Sequence, residues 1–369
     1  MKVAFDQQVF LLQEYGGISR YICGLAKHLA IIHGVEPRVI APLHFNRNLD
    51  ALRGVYGKGL FLPHVGPKSF RLVAMASKYL ARLSITRFKP QILHETYFSF
   101  DSYLPRGAKR VVTVYDMIHE RYSGMFERSH MTSGPKRSAA MRADHVLCIS
   151  ENTRRDLVEM FGIPENKVSV VHVGYDKLVP SGKLPMGTLQ AVSKRYLLYV
   201  GGRDGYKNFK GLLHAYAISP FLKNNFSIVC FGGGPFNKEE MTHIRELGLL
   251  DTQISQIGGG DEVLADLYLD AAAFVYPSLY EGFGIPLLEA MSLGCPVICS
   301  NTSSFPEVAG DAGEYFNPSE IESIRDAIET VLQSETRRDD LIRKGRIRCT
   351  AFSWSRCADE TLEIYRSLM

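Results

Sequence analysis

No stretch of this 369-residue chain approaches the ~20 consecutive apolar residues that a membrane-spanning helix requires. The first ten residues, MKVAFDQQVF, are interrupted by Asp6 and are too short to serve as the apolar core of a secretion signal. No Cys-x-x-Cys pair occurs. The seven cysteines, Cys23, Cys148, Cys230, Cys295, Cys299, Cys349 and Cys357, are odd in number and scattered. Several lie in apolar strand-like runs, where a thiol behaves as a small hydrophobe. This usage argues against a disulfide framework or a zinc site and for a reducing cytoplasm. Short-period repeats and low-complexity tracts are also missing. Acidic residues are missing locally: none lies between Asp50 and Glu95, where eight basic residues occur.

What is present is ordinary in amount and uneven in placement. A hydrophobic content of 46% and a charged content of 22% fit a globular protein, and the length suits two domains of roughly 150 to 200 residues. Residues 1 to 180 carry 25 Lys+Arg against 15 Asp+Glu, a net of +10; residues 181 to 369 carry 18 against 24, a net of −6. Such a split points to a basic half that faces an anionic partner, with a merely solvated surface as the competing reading.

Apolar runs alternate with helix-length segments along the whole chain. KVAF, PRVIAP, QILHE, RVVTVYD, HVLCIS and VSVVHVG read as strands in the first half, and YLLYVGG, FSIVCFG, ISQIGG, AFVYP and PVICS in the second. Segments such as SRYICGLAKHLAI, ENTRRDLVEMFG and EIESIRDAIETVLQ between them read as helices. This alternation predicts an α/β protein with parallel sheets. Residues 176–195, rich in Pro, Gly and Ser, read as a linker. Two Rossmann-like, doubly wound domains facing a cleft are expected, at 1–178 and 190–350.

Four glycine-bearing stretches fall where strands run into helices. In YGGISRY, residues 15–21, Gly16 and Gly17 open the first helix and let backbone N–H groups approach an anion. YVGGRDGYKNF, residues 199–209, ends a strand in Gly201 and Gly202 and continues to Arg203 and Lys207. Two cations there suit a diphosphate, one as a planar fork and one as a point charge; the competing reading is a pair of solvated loop residues. FSIVCFGGGPF repeats the strand–glycine pattern at 226–236. The fourth, SLYEGFGIPLLEAMSLGCPV, residues 278–297, sets Glu281 and Glu289 eight residues apart around Gly282, Phe283 and Gly284. Pro286 suits the start of a short helix and Gly294 its end. A carboxylate on the turn can accept hydrogen bonds from sugar hydroxyls without a metal. Alternatively, Glu281 is a loop charge and Glu289 a carboxylate favoured by the helix dipole.

The segment PSLYEGFGIPLLEAMSLGCPVICSNTSSFPEVAGDAGEYFNP resembles the signature of retaining glycosyltransferases of family 4, which have the GT-B fold. The glutamate pair matches that family's E-x7-E element. VLCISENTRRDLVEMFGIPENKVSVVHVGYD is similar to the unit that closes its first domain, and FSWSRCADETLEIYRSL to its last helix, which crosses back so that 353–369 pack on the first domain. The resemblance implies that Glu281, with the backbone of Gly282, Phe283 and Gly284, contacts the donor sugar. It implies that Glu289 holds the ribose and that Arg203 and Lys207, beside Gly202, neutralise the diphosphate. Gly16 and Gly17 would lie beside the diphosphate and acceptor, and the base near residues 257–263. Many relatives carry His-Asp where this chain has Tyr115-Asp116; either His119 takes over the histidine's contact or Tyr115 supplies a different hydroxyl. His94 is a second candidate. No Asp-x-Asp triplet occurs, so a metal-clamped diphosphate is not indicated, and front-face attack with the departing phosphate taking the acceptor's proton is expected.

The expected donor is GDP-mannose, with a UDP-sugar as alternative and no further cofactor or metal. The expected acceptor is a glycan or a polyprenyl-diphosphate-linked oligosaccharide of bacterial O-antigen or exopolysaccharide assembly, with no nucleic-acid partner. In the acid-free stretch, Arg71, Lys78 and Arg82 share one helical face, and Val73, Ala76, Leu80 and Leu83 the opposite one, expected to meet the core. The basic face suggests peripheral contact with an anionic membrane from the cytoplasmic side. The alternatives are an epimerase or a phosphorylase on the same fold, the latter usually needing a pyridoxal-binding lysine and a much longer chain, and a non-catalytic nucleotide-sugar binder.

Overall fold

The computed structural model describes residues 1–50, 52, 57–63, 66–126, 130–182, 195–203, 205–250 and 252–369. The chain divides into two compact units. Unit 1 comprises Met1–Gly174 and Phe352–Met369, and unit 2 comprises Tyr175–Ala351. Most of the expected linker, residues 183–194, lies outside the described residues.

Unit 1 is built on β1 (Lys2–Phe5), β2 (Glu36–His44), β3 (Gly57–Phe61), β4 (Ile92–Glu95), β5 (Lys109–Val114), β6 (His145–Cys148) and β7 (Val168–Val170). These form one sheet in the order β3-β2-β1-β4-β5-β6-β7. Unit 2 is built on β8 (Arg195–Val200), β9 (Phe226–Phe231), β10 (Ile254–Ile257), β11 (Ala273–Tyr276), β12 (Val297–Ser300) and β13 (Gly313–Phe316), in the order β10-β9-β8-β11-β12-β13. Every pairing is parallel. Parallel strands covered on both faces need continuous apolar runs, and ILHE, AFVY and VICS are buried at all four positions.

In each unit the order reverses once, between β1 and β4 and between β8 and β11. Loops leaving neighbouring strands diverge at such a point and open a crevice at the carboxyl ends. The ends of β8 and β11 carry Gly201–Lys207 and Pro277–Gly284; those of β1 and β4 carry Asp6–Gln8 and Thr96–Ser99.

The last helix, Trp354–Ser367, belongs to unit 1, as expected. Ser353 caps it by accepting from the Arg356 N–H at 3.2 Å. Its Trp354 ring lies against Gly24 of the Gly17–Leu29 helix so closely that a Cβ there would stand 2.7 Å from the indole. Gly174 meets the Trp354 backbone in the same way. Glycine at both positions is what lets the final helix seat.

Two strands were not legible as apolar runs. β3 (GKGLF) and β13 (GEYF) are short sheet edges that carry polar residues and glycine, as edges do. One helix face is corrected. The Pro67–Phe88 helix buries Ser77, Ala81, Ile85 and Phe88, whereas Leu80 and Leu83 are exposed. Ala81, Ile85 and Phe88 pack on Ala4, Ile40 and Leu93, and the Ser77 hydroxyl donates to the Leu43 carbonyl at 2.9 Å. Ser77 and Ala81 allow close approach, Ile85 and Phe88 fill the contact, and Leu80 and Leu83 are left outside.

Candidate functional site

The unit 2 site is centred on an ion pair. Lys207 Nζ donates to Glu281 Oε1 at 2.6 Å, with both side chains largely covered. The loops that carry them are tied together, since the Leu279 N–H donates to the Tyr206 carbonyl at 2.8 Å. Burial by itself lowers the pKa of Lys207, but Glu281 and Tyr206 outweigh it and the amine is held above its ordinary value. The ammonium also lies 5.7 Å from the Tyr276 ring centroid. A permanent cation and a carboxylate therefore share the switch point of this sheet.

Serines after β12 fix the Glu281 turn. Ser303 Oγ accepts from the Glu281 N–H at 3.1 Å and donates to the Glu281 carbonyl at 2.6 Å. Ser304 Oγ reaches the Phe283 carbonyl at 2.7 Å, and Thr302 Oγ1 the Leu279 carbonyl at 3.1 Å. The Phe283 ring is buried, so this residue offers backbone to a ligand. Gly284 sits at φ +107°, a conformation glycine supplies without strain, and leads into the Ile285–Ser292 helix. Glu289 follows one turn later, buried, with the Tyr268 hydroxyl 3.4 Å from Oε2. Of the expected base-binding segment, 257–263, residues 258–262 are exposed beyond β10 and Ile257 and Val263 are half-buried.

Arg203 is placed differently from expectation. Its guanidinium is not presented as a free clamp. Nε donates to Glu240 Oε1 at 2.7 Å, and the two terminal nitrogens donate to the carbonyls of Gly232, Gly233, Gly234 and Pro235 at 3.0 to 3.3 Å. The three glycines are all left-handed, and a Cβ on Gly233 would stand 2.7 Å from the guanidinium. Arg203 thus braces the glycine turn after β9. The Gly202 carbonyl accepts from the Tyr199 hydroxyl at 2.5 Å.

In unit 1, Gly16 is extended and Gly17 opens a 13-residue helix. The Gln13 side chain folds over this end, its Oε1 accepting from the Ser19 N–H at 3.3 Å, while the space where a Gly17 side chain would stand is open. Asp116 Oδ1 accepts from the Ile118 N–H at 3.1 Å. Beside it the buried Lys136 donates to the Asp116 carbonyl at 2.9 Å and to Glu120 Oε2 at 2.8 Å, with Asp116 Oδ1 at 3.6 Å. The His119 ring lies tilted against Phe126, 4.5 Å between centroids; burial and the Lys136 charge lower its pKa, favouring neutral imidazole. The two other candidates are corrected. The buried Tyr115 hydroxyl donates to the Thr96 carbonyl at 3.2 Å. His94 is fully buried between the Tyr365 hydroxyl (2.5 Å) and Thr113 Oγ1 (2.8 Å), and burial pushes its pKa down to about 3. Both are structural.

Lys136, Glu120, Tyr206, Ser303 and Ser304 escaped the sequence reading. Tyr206, Ser303 and Ser304 lay in segments already singled out; Lys136 and Glu120 meet through topology. All seven cysteines are free and buried. No described helix is long and apolar enough to cross a membrane.

Comparison with known proteins accounts for both units. A model for Glycosyltransferase Family 4 matches residues 15–177, and one for Glycosyl transferases group 1 matches residues 187–348. The chain is 28% identical over 371 aligned residues to the O-antigen chain mannosyltransferase B of Escherichia coli, covering 95% of this chain and 96% of that protein. Among solved structures, the sucrose-phosphate synthase of Thermosynechococcus elongatus superposes with a TM-score of 0.75 at 18% identity, over 100% of this chain and 99% of that one. The Anabaena protein HepE, in complex with UDP and glucose, superposes with a TM-score of 0.74 at 16% identity over the full length of both chains.

Proposed function

The chain is a glycosyltransferase of the GT-B fold, a hexosyltransferase similar to O-antigen mannosyltransferases, and we propose that it moves mannose from GDP-mannose, with retention, onto a growing glycan. The Lys207–Glu281 contact carries this reading. An ammonium held in its charged form beside a carboxylate is the pairing that a nucleotide-sugar demands: the cation meets the diphosphate and the carboxylate meets the sugar hydroxyls. The Glu289 carboxylate takes the ribose hydroxyls. Backbone N–H groups at the start of the Ile285–Ser292 helix add to the neutralisation of the leaving diphosphate. Arg203 acts on the phosphates through the glycine turn it braces.

The acceptor hydroxyl attacks the anomeric carbon from the face the diphosphate is leaving. The carbon–oxygen bond to phosphate breaks, the new glycosidic bond forms, and the acceptor's proton passes to the departing phosphate oxygen. Asp116 and His119 in unit 1 orient the acceptor and the sugar. The Escherichia coli mannosyltransferase that aligns over 95% of the chain supports mannose; a UDP-sugar is the second reading, supported by the UDP held by HepE. The basic character of unit 1 supports an acceptor that is a polyprenyl-diphosphate-linked glycan of O-antigen or exopolysaccharide assembly, used at the cytoplasmic face of the membrane.

A transfer assay tests this. With GDP-mannose and a mannose-terminated oligosaccharide, proton NMR of the early product is expected to show an α-linkage, and activity is expected to persist in EDTA. A β-linked product, or turnover by Lys207→Ala and Glu281→Ala variants equal to wild type, overturns it.

A further inference from the structure

Lys136 is 1% exposed, which is rare for a lysine and costs desolvation that a neutral side chain would avoid. It reaches from the His130–Arg142 helix to the segment that follows β5 and joins the two ends of that segment. Nζ donates to the Asp116 carbonyl at 2.9 Å and to Glu120 Oε2 at 2.8 Å, and Asp116 Oδ1 lies 3.6 Å away. The Phe98 ring centroid is 5.7 Å from the ammonium. Between the two ends lie the fully buried Met117 and the four-residue Ile118–Arg121 helix, which carries His119. A single helical turn does not hold itself together. This one is held at its start by Asp116 Oδ1, which accepts from the Ile118 N–H at 3.1 Å, and at its end by Arg121, which donates to Asp156 Oδ1 at 2.5 Å. Lys136 spans it. Tyr115 and His94 are bound up in the fold, so His119 is the candidate histidine left, and among the described residues its buried Nδ1 has no hydrogen-bond partner.

We propose that Lys136 is a positioning residue for sugar transfer: by tying the Asp116 carbonyl to the Glu120 carboxylate, it sets where the Asp116 carboxylate and the His119 ring stand. The assignment rests on the reading that Asp116 and His119 act on the sugar and the acceptor, and it names the residue through which the fold holds them. Two observations favour it over a purely stabilising role. A buried ion pair is a poor source of stability, because apolar side chains of similar volume do as well or better. One of the oxygens held is a backbone carbonyl, so the ammonium fixes the path of the chain at Asp116 itself, which an apolar side chain cannot do. Glu120 is the counter-charge that lets a cation lie this deep; its side chain is 5% exposed, against 33% for Asp116. The Lys136 charge also opposes protonation of the His119 ring, against the carboxylates of Asp116 and Glu120.

The ratio of donor hydrolysed to sugar transferred tests the assignment, because it does not depend on how much of a sample is folded. The full chain is given GDP-mannose or UDP-glucose with a mannose-terminated oligosaccharide below saturation, and free sugar and glycan product are measured in the same reaction. Lys136→Met is expected to raise the ratio about tenfold, since groups held out of place lose more of the oriented reaction than of attack by water. The Lys136→Met/Glu120→Met pair removes both buried charges, and it carries the test if the single variant does not fold. It should regain the resistance to urea that Lys136→Met alone loses, yet keep the raised ratio. The affinity for GDP or UDP, read by isothermal titration, should match wild type in both variants; a loss there would put the effect of Lys136 on donor binding and overturn the proposal. It is equally overturned if wild type transfers sugar and Lys136→Met partitions the donor as wild type does. A double variant that regains both the urea resistance and the wild-type ratio overturns it too, because Lys136 would then merely offset Glu120. A wild type that transfers from neither donor overturns the reading of the function, and this proposal with it.

Discussion

The two units solve the same topological problem with opposite chemistry. At the switch point of unit 2, charge is concentrated: Lys207 and Glu281 touch, and the residues around them act through backbone and hydroxyl groups. Along the carboxyl edge of the unit 1 sheet the charges are dispersed. Lys136 is buried among Asp116 and Glu120, while Lys78 and Arg82 stand outside on a helix. A nucleotide-sugar presents a fixed pattern of diphosphate and hydroxyls, so a compact set of residues suffices to grip it. The proposed acceptor side draws instead on separate helices and loops of the first unit.

The sharpest way to break this comparison is at its concentrated end. Lys207→Ala or Glu281→Ala should each lower kcat/KM by about 10³, and the double variant should be little worse than either, because the pair acts as one unit. Steady-state kinetics on three variants decides this; two fully additive losses would mean that the residues work independently. At the dispersed end, the largest effect should be on stability. Lys136→Met leaves Glu120 buried without its cation and should lower the unfolding free energy by about 3 kcal/mol in urea denaturation. A variant as stable as wild type would show that Lys136 is not needed to hold that cluster.

The concentrated site was also the legible one. Glu281, Glu289 and Lys207 each lie close in sequence to glycines that announce turns after strands, and the pairing of β8 with β11 then brings the two turns together. Eleven of the strands were readable because buried parallel strands are written as apolar runs, and the two that were not are polar edges. Lys136 could not be read, since it meets Asp116 and Glu120 only after the Ile118–Arg121 and His130–Arg142 helices have packed. The Pro67–Phe88 helix was misread for a related reason. Periodicity finds the most apolar face, but here the face that packs runs from the small Ser77 and Ala81 to Ile85 and Phe88. His94 and Tyr115 looked like free polar groups at strand ends, and the fold consumed both: one reaches the last helix, the other the loop after β4.

Smaller effects sharpen the contrast between a buried, structural unit 1 interior and its functional surface. The folded pKa of His94 is about 3, far below its ordinary value, because burial disfavours the imidazolium. The unfolded chain therefore binds the extra proton first, and this group's stabilising effect is complete above the ordinary histidine pKa and is lost as pH falls toward 3. Between pH 7 and 5 this one group should account for about 2 kcal/mol of lost stability, and His94→Gln should remove that share of the slope. Parallel urea titrations of the two proteins at both pH values check it; equal slopes would contradict the burial account. Smallest of all, Tyr365→Phe removes the hydroxyl that ties the last helix to His94 and should cost about 1 kcal/mol with donor affinity unchanged. A change in GDP affinity in that variant would mean that the final helix reaches the donor site.

A crystal structure of the enzyme with GDP-mannose tests the account most directly. Sugar hydroxyls on the Glu281 carboxylate, the ribose on Glu289 and the diphosphate against Lys207 are the expected contacts. A nucleotide bound anywhere else on unit 2, or those three side chains turned away from it, would contradict the account.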